Sequence, residues 1–401
     1  MKIRVGVIFG GESVEHEVSI ISAIQAMNKL DQEKYDIIPI YITKNREWYT
    51  GEMLRDIETY QDASLIKRYA KNVVLYFRKG SFVLQSKGFF KRIINEIDIA
   101  LPIVHGTNVE DGILQGYLQS IGIPYAGPNV YAAVVGQDKV YMKQIFESEE
   151  LPIPKYAWFY DSEFKEDQDG VLKRISKLKY PVIVKPATLG SSVGIGTANT
   201  EEELIEAIED AMKYDSKIVV EEMVKNLKEL NISVLGNYSY AQTSVIEEVL
   251  STKDFLTYEE KYIGKGGKTK GVAPVKCSKG MASASRKIPA DIDDKLKEEI
   301  ETIAKKAFIA LGSSGVSRID FLVDSKTNKP YINEINSIPG SLAFYLWDKT
   351  NKDYTALLDD VINIAIKDYK KRISKTHSFE SNILQGYSSS NGLKGLKGLK
   401  K

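Results

Sequence analysis

Residues 182–196 read VIVKPATLGSSVGIG, a β-branched strand carrying Lys185 that runs into a loop rich in glycine and serine. Glycine-rich loops that follow a strand commonly bind phosphate through backbone N–H groups. The Walker pattern GxxxxGK[ST] has its lysine after the glycines, whereas Lys185 comes before them. We therefore predict a flap that closes over phosphates, with backbone N–H groups around Ser191 and Ser192 and with Lys185 reaching in from the strand. Taken alone, the stretch is equally typical of an ordinary turn at the start of a helix.

Strand-like and helix-like patterns alternate on both sides of this loop, which predicts an α/β fold. The chain starts with a buried strand, KIRVGVIFGG, followed by an amphipathic helix. Further along we expect a hairpin around Lys79-Gly80, one charged helix over 161–178, a strand pair over 317–336 and a last helix over 354–373.

Breaks in these patterns divide the chain into three predicted domains and a tail. An N-terminal α/β domain covers 1–128 and ends where Gly127-Pro128 interrupt the chain. A central domain with the glycine-rich loop covers 129–223, and a C-terminal domain covers 224–375. Residues 376–401 are basic and rich in glycine and serine, so we predict a disordered tail. Its GLK triplets are either inert or in contact with an anionic surface.

The composition excludes several classes of protein. The 401 residues hold 55 Lys and Arg against 54 Asp and Glu, so the overall charge does not indicate a nucleic-acid partner. The longest apolar runs are too short to span a bilayer. The single cysteine, Cys277, cannot form an internal disulfide. The start of the chain has no signal-peptide pattern, and we expect a cytoplasmic protein.

The strand pair over 317–336 carries a candidate metal site. Alternate residues of a strand share a face, so Glu334 and Asn336 point together while Asn333 and Ile335 point away. Asp320 on the first strand of the pair completes a patch of three oxygen ligands. Such a set suits Mg²⁺, which completes its octahedron with phosphate oxygens and water. The alternative is a polar, solvated sheet face.

Two glutamates downstream of the glycine-rich loop suggest contacts with a nucleotide. Glu221 lies in the strand IVVEEMV, about thirty residues after the loop. Glu229, in KELNISVLG, is a candidate ligand for two ribose hydroxyls, because one carboxylate can accept hydrogen bonds from both.

Seven segments follow one another along the chain: FGGESVEHEVS, HGTNVEDGILQG, DKVYMK, VKPATLGSSVGI, YEEKY, SRIDFLVD and NEINSIPG. In this order they resemble the D-alanine–D-alanine ligases of the ATP-grasp superfamily, over roughly residues 3–370. The resemblance implies an N-terminal parallel-sheet domain and two ATP-grasp subdomains that clamp ATP between them. It also implies that the γ-phosphate passes to a carboxylate and that an amine then attacks the acyl phosphate. The implied product is D-alanyl-D-alanine, a peptidoglycan precursor, and a homodimer is usual in the family.

The resemblance also assigns roles to single residues of this sequence. Lys139, Lys185 and Lys261 match lysines that contact the phosphates. Asp320, Glu334 and Asn336 match the ligands of two Mg²⁺ ions, with Mn²⁺ as an alternative metal. Arg318 matches an arginine that stabilises the tetrahedral oxyanion, assisted by the backbone N–H of Gly340.

The amino-acid side of the site is assigned in the same way. Glu15 matches the carboxylate that binds the ammonium group of the first D-alanine, and His105 matches a histidine near that substrate's carboxylate. A neutral core histidine is the alternative at position 105. Ser191 and Tyr262 match a hydrogen-bonded pair that closes two loops over the site together with Glu15.

The sequence departs from the family on the side of the second substrate. Val109 stands where the family normally has a glycine. The segment SLAFYLW, residues 341–347, lacks a certain equivalent of the serine that binds the second carboxylate, and Ser341 and Tyr345 are the nearest hydroxyls. Another D-amino acid or a D-hydroxy acid is therefore an alternative acceptor, although Tyr262 favours an amine.

An idle ATP-binding regulator on the same fold is the alternative from another class of function. The basic loop 263–287 fits a lid or an ordinary insertion.

Overall fold

The structure is a computed structural model that describes residues 2–250 and 285–378. Lys261, Tyr262, Cys277 and the predicted tail beyond residue 378 lie outside the described residues. The described residues form three separate sheets, which we name the N-terminal, central and C-terminal sheets. Within the described residues no helix is both long and apolar enough to cross a membrane.

The N-terminal sheet has seven strands in the order β6-β5-β4-β3-β2-β1-β7. Its elements are β1 Ile3–Gly10, α1 His16–Lys29, β2 Tyr35–Ile42, β3 Trp48–Thr50, α2 Ala63–Tyr69, β4 Lys71–Arg78, β5 Ser81–Ser86, β6 Ile93–Ile97, β7 Ile99–Pro102 and α3 Ile113–Ile121. Strands β2, β1 and β7 are parallel, which confirms the expected parallel core. Residues 5–10 of β1 are buried without interruption because a parallel strand is covered on both faces.

The predicted hairpin forms between β4 and β5. Lys79 and Gly80 both have positive φ, 48° and 90°. Two such residues make the tight turn whose twist matches that of the flanking strands. The hairpin and its neighbours extend the parallel core with antiparallel strands.

The central sheet is antiparallel, in the order β10-β9-β11-β8. Its region contains α4 Val130–Gln137, α5 Lys139–Ser148, β8 Tyr156–Tyr160, α6 Asp161–Glu166, α7 Gln168–Ile175, β9 Val182–Pro186, β10 Gly196–Ala198, α8 Glu201–Ala211 and β11 Lys217–Glu222. The prediction of one charged helix over 161–178 was wrong. Asp167 leaves helical geometry between α6 and α7, and its carboxylate caps the second helix by accepting from the N–H of Gly170.

The C-terminal sheet is also antiparallel, in the order β14-β13-β12-β15-β16. Its region contains β12 Leu227–Asn237, β13 Tyr240–Leu250, β14 Ser285–Lys287, α9 Asp294–Ala310, β15 Gly315–Asp324, β16 Lys329–Asn336, α10 Phe344–Trp347 and α11 Tyr354–Ile373. The strand pair and the last helix were thus predicted correctly. Helix α9 covers β12 and β13, and its apolar face joins their buried core.

Helix α11 joins the N-terminal and C-terminal regions. Leu357, Leu358 and Val361 are buried in the same core as the strands of the N-terminal sheet. Thr355 donates a hydrogen bond of 2.7 Å to the carbonyl of Lys29, at the end of α1. Because this core is shared, the domain limits at 128, 223 and 375 stay a prediction.

Candidate active site

One cavity of about 220 Å³ is lined by residues of all three sheets and their loops. Twelve residues singled out from the sequence line it: Glu15, His105, Lys139, Lys185, Ser191, Ser192, Glu229, Arg318, Asp320, Glu334, Asn336 and Gly340. Glu221 and Ser341 do not line it. The fold therefore brings together residues that lie more than 300 positions apart in the chain.

The glycine-rich loop reaches across to the N-terminal sheet. Ser191, Ser192 and Gly194 have φ of 56°, 61° and 69°, so the loop turns tightly after β9. The hydroxyl of Ser191 donates a hydrogen bond to the Glu15 carboxylate. A side chain on Gly190 would come within 3.3 Å of the same carboxylate, so the backbone approaches Glu15 closely. The loop thus covers the cavity, as a flap does.

The two lysines of the central region are buried and held by hydrogen bonds. Lys139 donates to the carbonyl of Leu189 at 2.7 Å, and its Nζ lies 3.6 Å from Glu334. Lys185 donates to Glu221 Oε2 at 3.2 Å and to Asn333 Oδ1 at 3.0 Å. Both ammonium groups therefore reach the cavity in fixed positions.

The contact with Asn333 corrects one prediction. We expected Asn333 to point away from the metal patch together with Ile335. A β-bulge next to Asp320 pairs Phe321 with Ile332 and leaves Asn333 without a partner across the strands. Such an extra residue re-aims a side chain, and Asn333 lines the cavity whereas Ile335 is buried in the core.

Glu221 supports Lys185 from outside the cavity, together with a lysine that the sequence reasoning missed. Lys143 is completely buried, with its Nζ 3.2 Å from Glu221 Oε1. Burial alone would raise the pKa of Glu221, but Lys143 and Lys185 hold that pKa below its usual range. Lys143 follows Lys139 by one helical turn on α5, and this spacing was the available signal. A direct contact of Glu221 with a nucleotide stays a prediction.

The three candidate metal ligands lie side by side. Asp320 and Glu334 are paired across β15 and β16, and the Asn336 amide donates to Asp320 at 3.1 Å. Burial raises the pKa of Asp320, and the nearby Glu334 acts in the same direction, although Arg318 opposes both. Arg318 pairs with Asp320, and Lys139 Nζ lies 3.6 Å from Glu334, so each carboxylate has a cation beside it. The all-oxygen donor set fits Mg²⁺.

Arg318 binds Asp320 through both of its carboxylate oxygens, at 2.6 and 2.7 Å. The two side chains therefore share one strand face, as predicted. A second arginine, Arg286 on β14, also lines the cavity and lies 3.4 Å from the buried Glu247. No sequence pattern distinguishes Arg286 from the other cations of the basic loop.

His105 forms two hydrogen bonds in the interior. Its Nδ1 lies 2.9 Å from the carbonyl oxygen of Ile338, and its Nε2 lies 3.1 Å from the Ser22 hydroxyl. The hydroxyl oxygen of Ser22 also accepts a hydrogen bond from the backbone N–H of Ser341 at 3.0 Å. The Ser22 hydroxyl can therefore donate its own proton to Nε2 of His105. His105 then carries its proton on Nδ1, and burial lowers its pKa. The ring lines the cavity as a neutral group.

Glu110 was missed from the sequence. Its carboxylate accepts from the N–H groups of Gly106 and Ile338 at 3.0 and 2.9 Å and from the Ser337 hydroxyl at 3.1 Å. Burial, aided by the charge of Glu15, raises the pKa of Glu110 to about 7. An acid in the middle of HGTNVEDG, five residues after His105, was the available signal.

One departure from the family pattern, the valine at position 109, has a structural explanation. Asn108 takes the left-handed conformation, with φ of 67°, and asparagine tolerates it better than a β-branched residue. Val109 is buried, and a side chain on Gly11 would come within 2.5 Å of its Cγ1. Ser341 donates to Gln25 at 2.6 Å, so its predicted contact with the second substrate stays a prediction.

Comparisons with known proteins agree with this geometry. Residues 4–128 match a family model described as D-ala D-ala ligase N-terminus, and residues 145–366 match one described as D-ala D-ala ligase C-terminus. The D-alanine--D-alanine ligase of Thermosipho melanesiensis is 38% identical over 96% of this chain and 98% of its own length. That of Thermosipho africanus is 40% identical over 95% of this chain and 98% of its own length.

Solved structures show the same relationship. The D-alanine-D-alanine ligase of Coxiella burnetii has a TM-score of 0.78 and 28% identity, and covers 93% of this chain and 96% of its own. The VanG D-Ala:D-Ser ligase of Enterococcus faecalis has a TM-score of 0.74 and 28% identity, and covers 91% of this chain and 100% of its own. The chain therefore belongs to the D-alanine–D-alanine ligase family, with its α/β ATP-grasp fold.

Proposed function

We propose that the protein joins two molecules of D-alanine into D-alanyl-D-alanine while ATP is converted to ADP and phosphate. The observation that carries this proposal is the convergence of Glu15, Lys185 and Arg318 on one cavity. A carboxylate for an ammonium group, a lysine for phosphates and an arginine for an oxyanion are the three groups that this ligation requires.

ATP is expected to lie between the central and C-terminal sheets. Ile183 and Leu322 provide apolar surface for the base, and Glu229 faces the same cavity and can accept hydrogen bonds from the ribose. Lys139 and Lys185 bind the phosphates, and Lys261 is expected to reach the γ-phosphate. The glycine-rich loop then closes over the phosphates and excludes water.

Asp320, Glu334 and Asn336 would hold Mg²⁺. Two such ions are expected, and Mn²⁺ is an alternative metal. They would neutralise charge on the transferring phosphoryl group. The chain's own contribution is to keep these oxygens together, through the pairing of β15 with β16 and the hydrogen bond from Asn336 to Asp320.

Chemistry begins at the first D-alanine, whose ammonium group binds Glu15. Its carboxylate oxygen attacks the γ-phosphorus, ADP leaves, and an acyl phosphate forms. The free amine of the second D-alanine attacks the acyl carbon, and phosphate leaves as the peptide bond forms. Arg318 and the N–H of Gly340 stabilise the tetrahedral oxyanion that forms when the amine attacks, before phosphate leaves. Ser191 keeps the flap closed on Glu15.

The test is a product analysis by mass spectrometry with ATP, Mg²⁺ and a panel of D- and L-amino acids and D-lactate. We expect ADP and D-alanyl-D-alanine. A mixed product would assign another acceptor, an outcome that the structural similarity to the VanG D-Ala:D-Ser ligase keeps open. ATP binding without turnover on any substrate would indicate a regulator and overturn the proposal.

The cellular setting follows from the same proposal. The product would supply peptidoglycan synthesis, and we expect the reaction in the cytoplasm. A homodimer is also expected, and light scattering of the purified protein measures it directly.

A further inference from the structure

The β4–β5 hairpin and its flanking segments have an unusual charge. Residues 63–95 contain eight lysines and arginines and no acidic residue, in a chain whose net charge is only +1. All eight of these cations are exposed. A local excess of this size favours a positive potential over this part of the surface.

Six of the eight cations lie at one end of the hairpin. Val73 pairs with Ser86, and the N–H of Lys87 donates to the carbonyl of Asn72 at 3.0 Å, so the loop after β5 lies beside the start of β4. Helix α2 ends at Tyr69, two residues before β4. We call residues 67–71 and 87–93 the basic–aromatic end. Its cations are Lys67, Arg68, Lys71, Lys87, Lys91 and Arg92.

None of these six side chains forms an ion pair within residues 2–250 and 285–378. Elsewhere in the N-terminal sheet region several cations do have a partner, as Arg4 has Glu96 and Asp98, and Lys44 has Glu17. The charge of the basic–aromatic end is therefore available to an external partner.

Three exposed aromatic side chains stand among these cations. Phe89 is 95% exposed, Phe90 69% and Tyr69 57%. The loop that carries the two phenylalanines is held in place, because Ser86 accepts from the N–H of Arg92 and donates its hydroxyl to the carbonyl of Phe90. The rings of Phe89 and Phe90 pack edge to face, with centroids 5.3 Å apart. Two large apolar groups are thus exposed to solvent on an ordered loop.

We propose that the basic–aromatic end is a docking surface for a membrane that contains anionic lipid. Apolar rings that enter the interface, surrounded by cations that meet anionic headgroups, are the two components of reversible membrane binding. A nucleic acid would instead need a groove with a flat ring on which a base can stack. Phe89 and Phe90 form a protruding edge-to-face pair, which suits insertion between lipids.

Docking at this end leaves the cavity free. Neither Phe89 nor Phe90 lines it, and both lie on a loop between β5 and β6. Ligase activity in solution is therefore an independent measure of folding for variants of this loop, whatever the identity of the second substrate.

The experiment is vesicle flotation of the full-length protein with phosphatidylglycerol vesicles and with phosphatidylcholine vesicles. We expect binding only to the anionic vesicles, and release at 0.5 M salt because ions screen the headgroups. In the double variant Phe89→Ser/Phe90→Ser we expect at least a tenfold lower vesicle affinity and unchanged ATP turnover. The matched control is Phe77→Ser, an exposed aromatic at the other end of the same hairpin, which keeps its affinity.

A variant with Lys394, Lys397, Lys400 and Lys401 changed to alanine separates the tail from the hairpin, and we expect it to retain at least half of the binding. Binding that is lost with the tail variant alone, or equal binding of the wild type and the Phe89→Ser/Phe90→Ser variant, would overturn the proposal. So would a larger effect of the double variant on binding of polyuridylic acid than on binding of vesicles.

Insertion has a direct readout as well. In the variant Phe89→Trp we expect fluorescence quenching by brominated phosphatidylglycerol beyond that of the wild type, whose three tryptophans lie elsewhere. Quenching equal to that of the wild type would show that the ring stays in water, and would contradict insertion.

Discussion

Two ends of the cavity are held by different kinds of interaction. The end around Lys139 and Lys185 is expected to bind phosphates and is named the phosphate end, and the end around Glu15 and His105 is expected to bind the amino acids and is named the amino-acid end. At the phosphate end, ammonium and carboxylate groups on α5, β9 and β11 pair with one another, as in the contact of Glu221 with Lys143 and Lys185. At the amino-acid end, the contacts are mostly with backbone groups of loops. His105 and Glu110 meet the carbonyl and the N–H of Ile338, more than 220 residues away in the chain.

The difference shows what each end depends on. Ion pairs on regular elements depend on residue type, and a change of one side chain removes them. The loop at the other end depends on conformation, since Ser341, Leu342 and Ala343 all have left-handed φ of about 50°. That conformation costs about 1–2 kcal/mol per residue, so the surrounding contacts must hold it. We expect the phosphate end to respond to loss of charge and the amino-acid end to respond to pH and to loop contacts.

The largest effect is expected for Arg318→Ala. The change removes the predicted oxyanion donor, and one such donor typically contributes about 10²–10³ in rate. We therefore expect kcat for ADP release with D-alanine to fall by about that factor. Arg318→Lys keeps the charge but loses the two-point contact with Asp320, so its kcat is expected to lie between those of the wild type and the alanine variant. A fall of less than tenfold in the alanine variant would contradict the assigned role.

Removal of the buried ammonium group in Lys143→Met comes next. Breaking a buried pair from one side typically costs about 3–5 kcal/mol, and Lys185 compensates part of it, so we expect the free energy of unfolding in urea to fall by about 3 kcal/mol. The double variant Lys143→Met/Glu221→Gln should be no more stable than Lys143→Met, because it also leaves the buried Lys185 without its carboxylate partner. Lys173→Met, at an exposed position on α7, is the matched control and should change stability by less than about 0.5 kcal/mol. Equal effects at the two lysines would refute the buried network.

This contrast also explains which parts could be predicted from the sequence. The period-two pattern of β15 and β16 placed Asp320 and Glu334 together, and the glycine-rich segment indicated a phosphate loop. The bulge that turns Asn333 into the cavity was not predictable, because it depends on the pairing of two strands. Glu110 was missed for a similar reason: its partners lie at 337 and 338, and no local pattern joins these segments.

A pH dependence of stability is expected at the amino-acid end. The pKa of Glu110 is about 7 in the folded protein, above its usual 4.5, so the unfolded chain loses this proton first as the pH rises. The contribution of Glu110 to stability is therefore intact below about pH 4.5 and falls between about pH 4.5 and 7. Above about pH 7 this loss is complete, and stability no longer changes with pH through Glu110. Between pH 5 and 8 we expect a loss of about 2 kcal/mol in the free energy of unfolding that Glu110→Gln does not show. Identical pH profiles of the two proteins would disprove the burial of an ionisable group here.

The smallest effect is expected for Ser341→Ala, which tests the weakest part of the comparison. In the structure the Ser341 hydroxyl donates to Gln25, and Ser341 holds Ser22 through its backbone N–H, which alanine retains. We therefore expect KM for the second substrate to change by less than about threefold, with a loss of about 1 kcal/mol in stability from the one hydrogen bond. The control Gln25→Ala removes the same bond from the other side and should give the same stability without any change in KM. A rise in KM of tenfold or more for Ser341→Ala alone would show that the hydroxyl leaves Gln25 to bind the acceptor's carboxylate. The amino-acid end would then depend on a side chain after all, and the loop conformation would serve to deliver it.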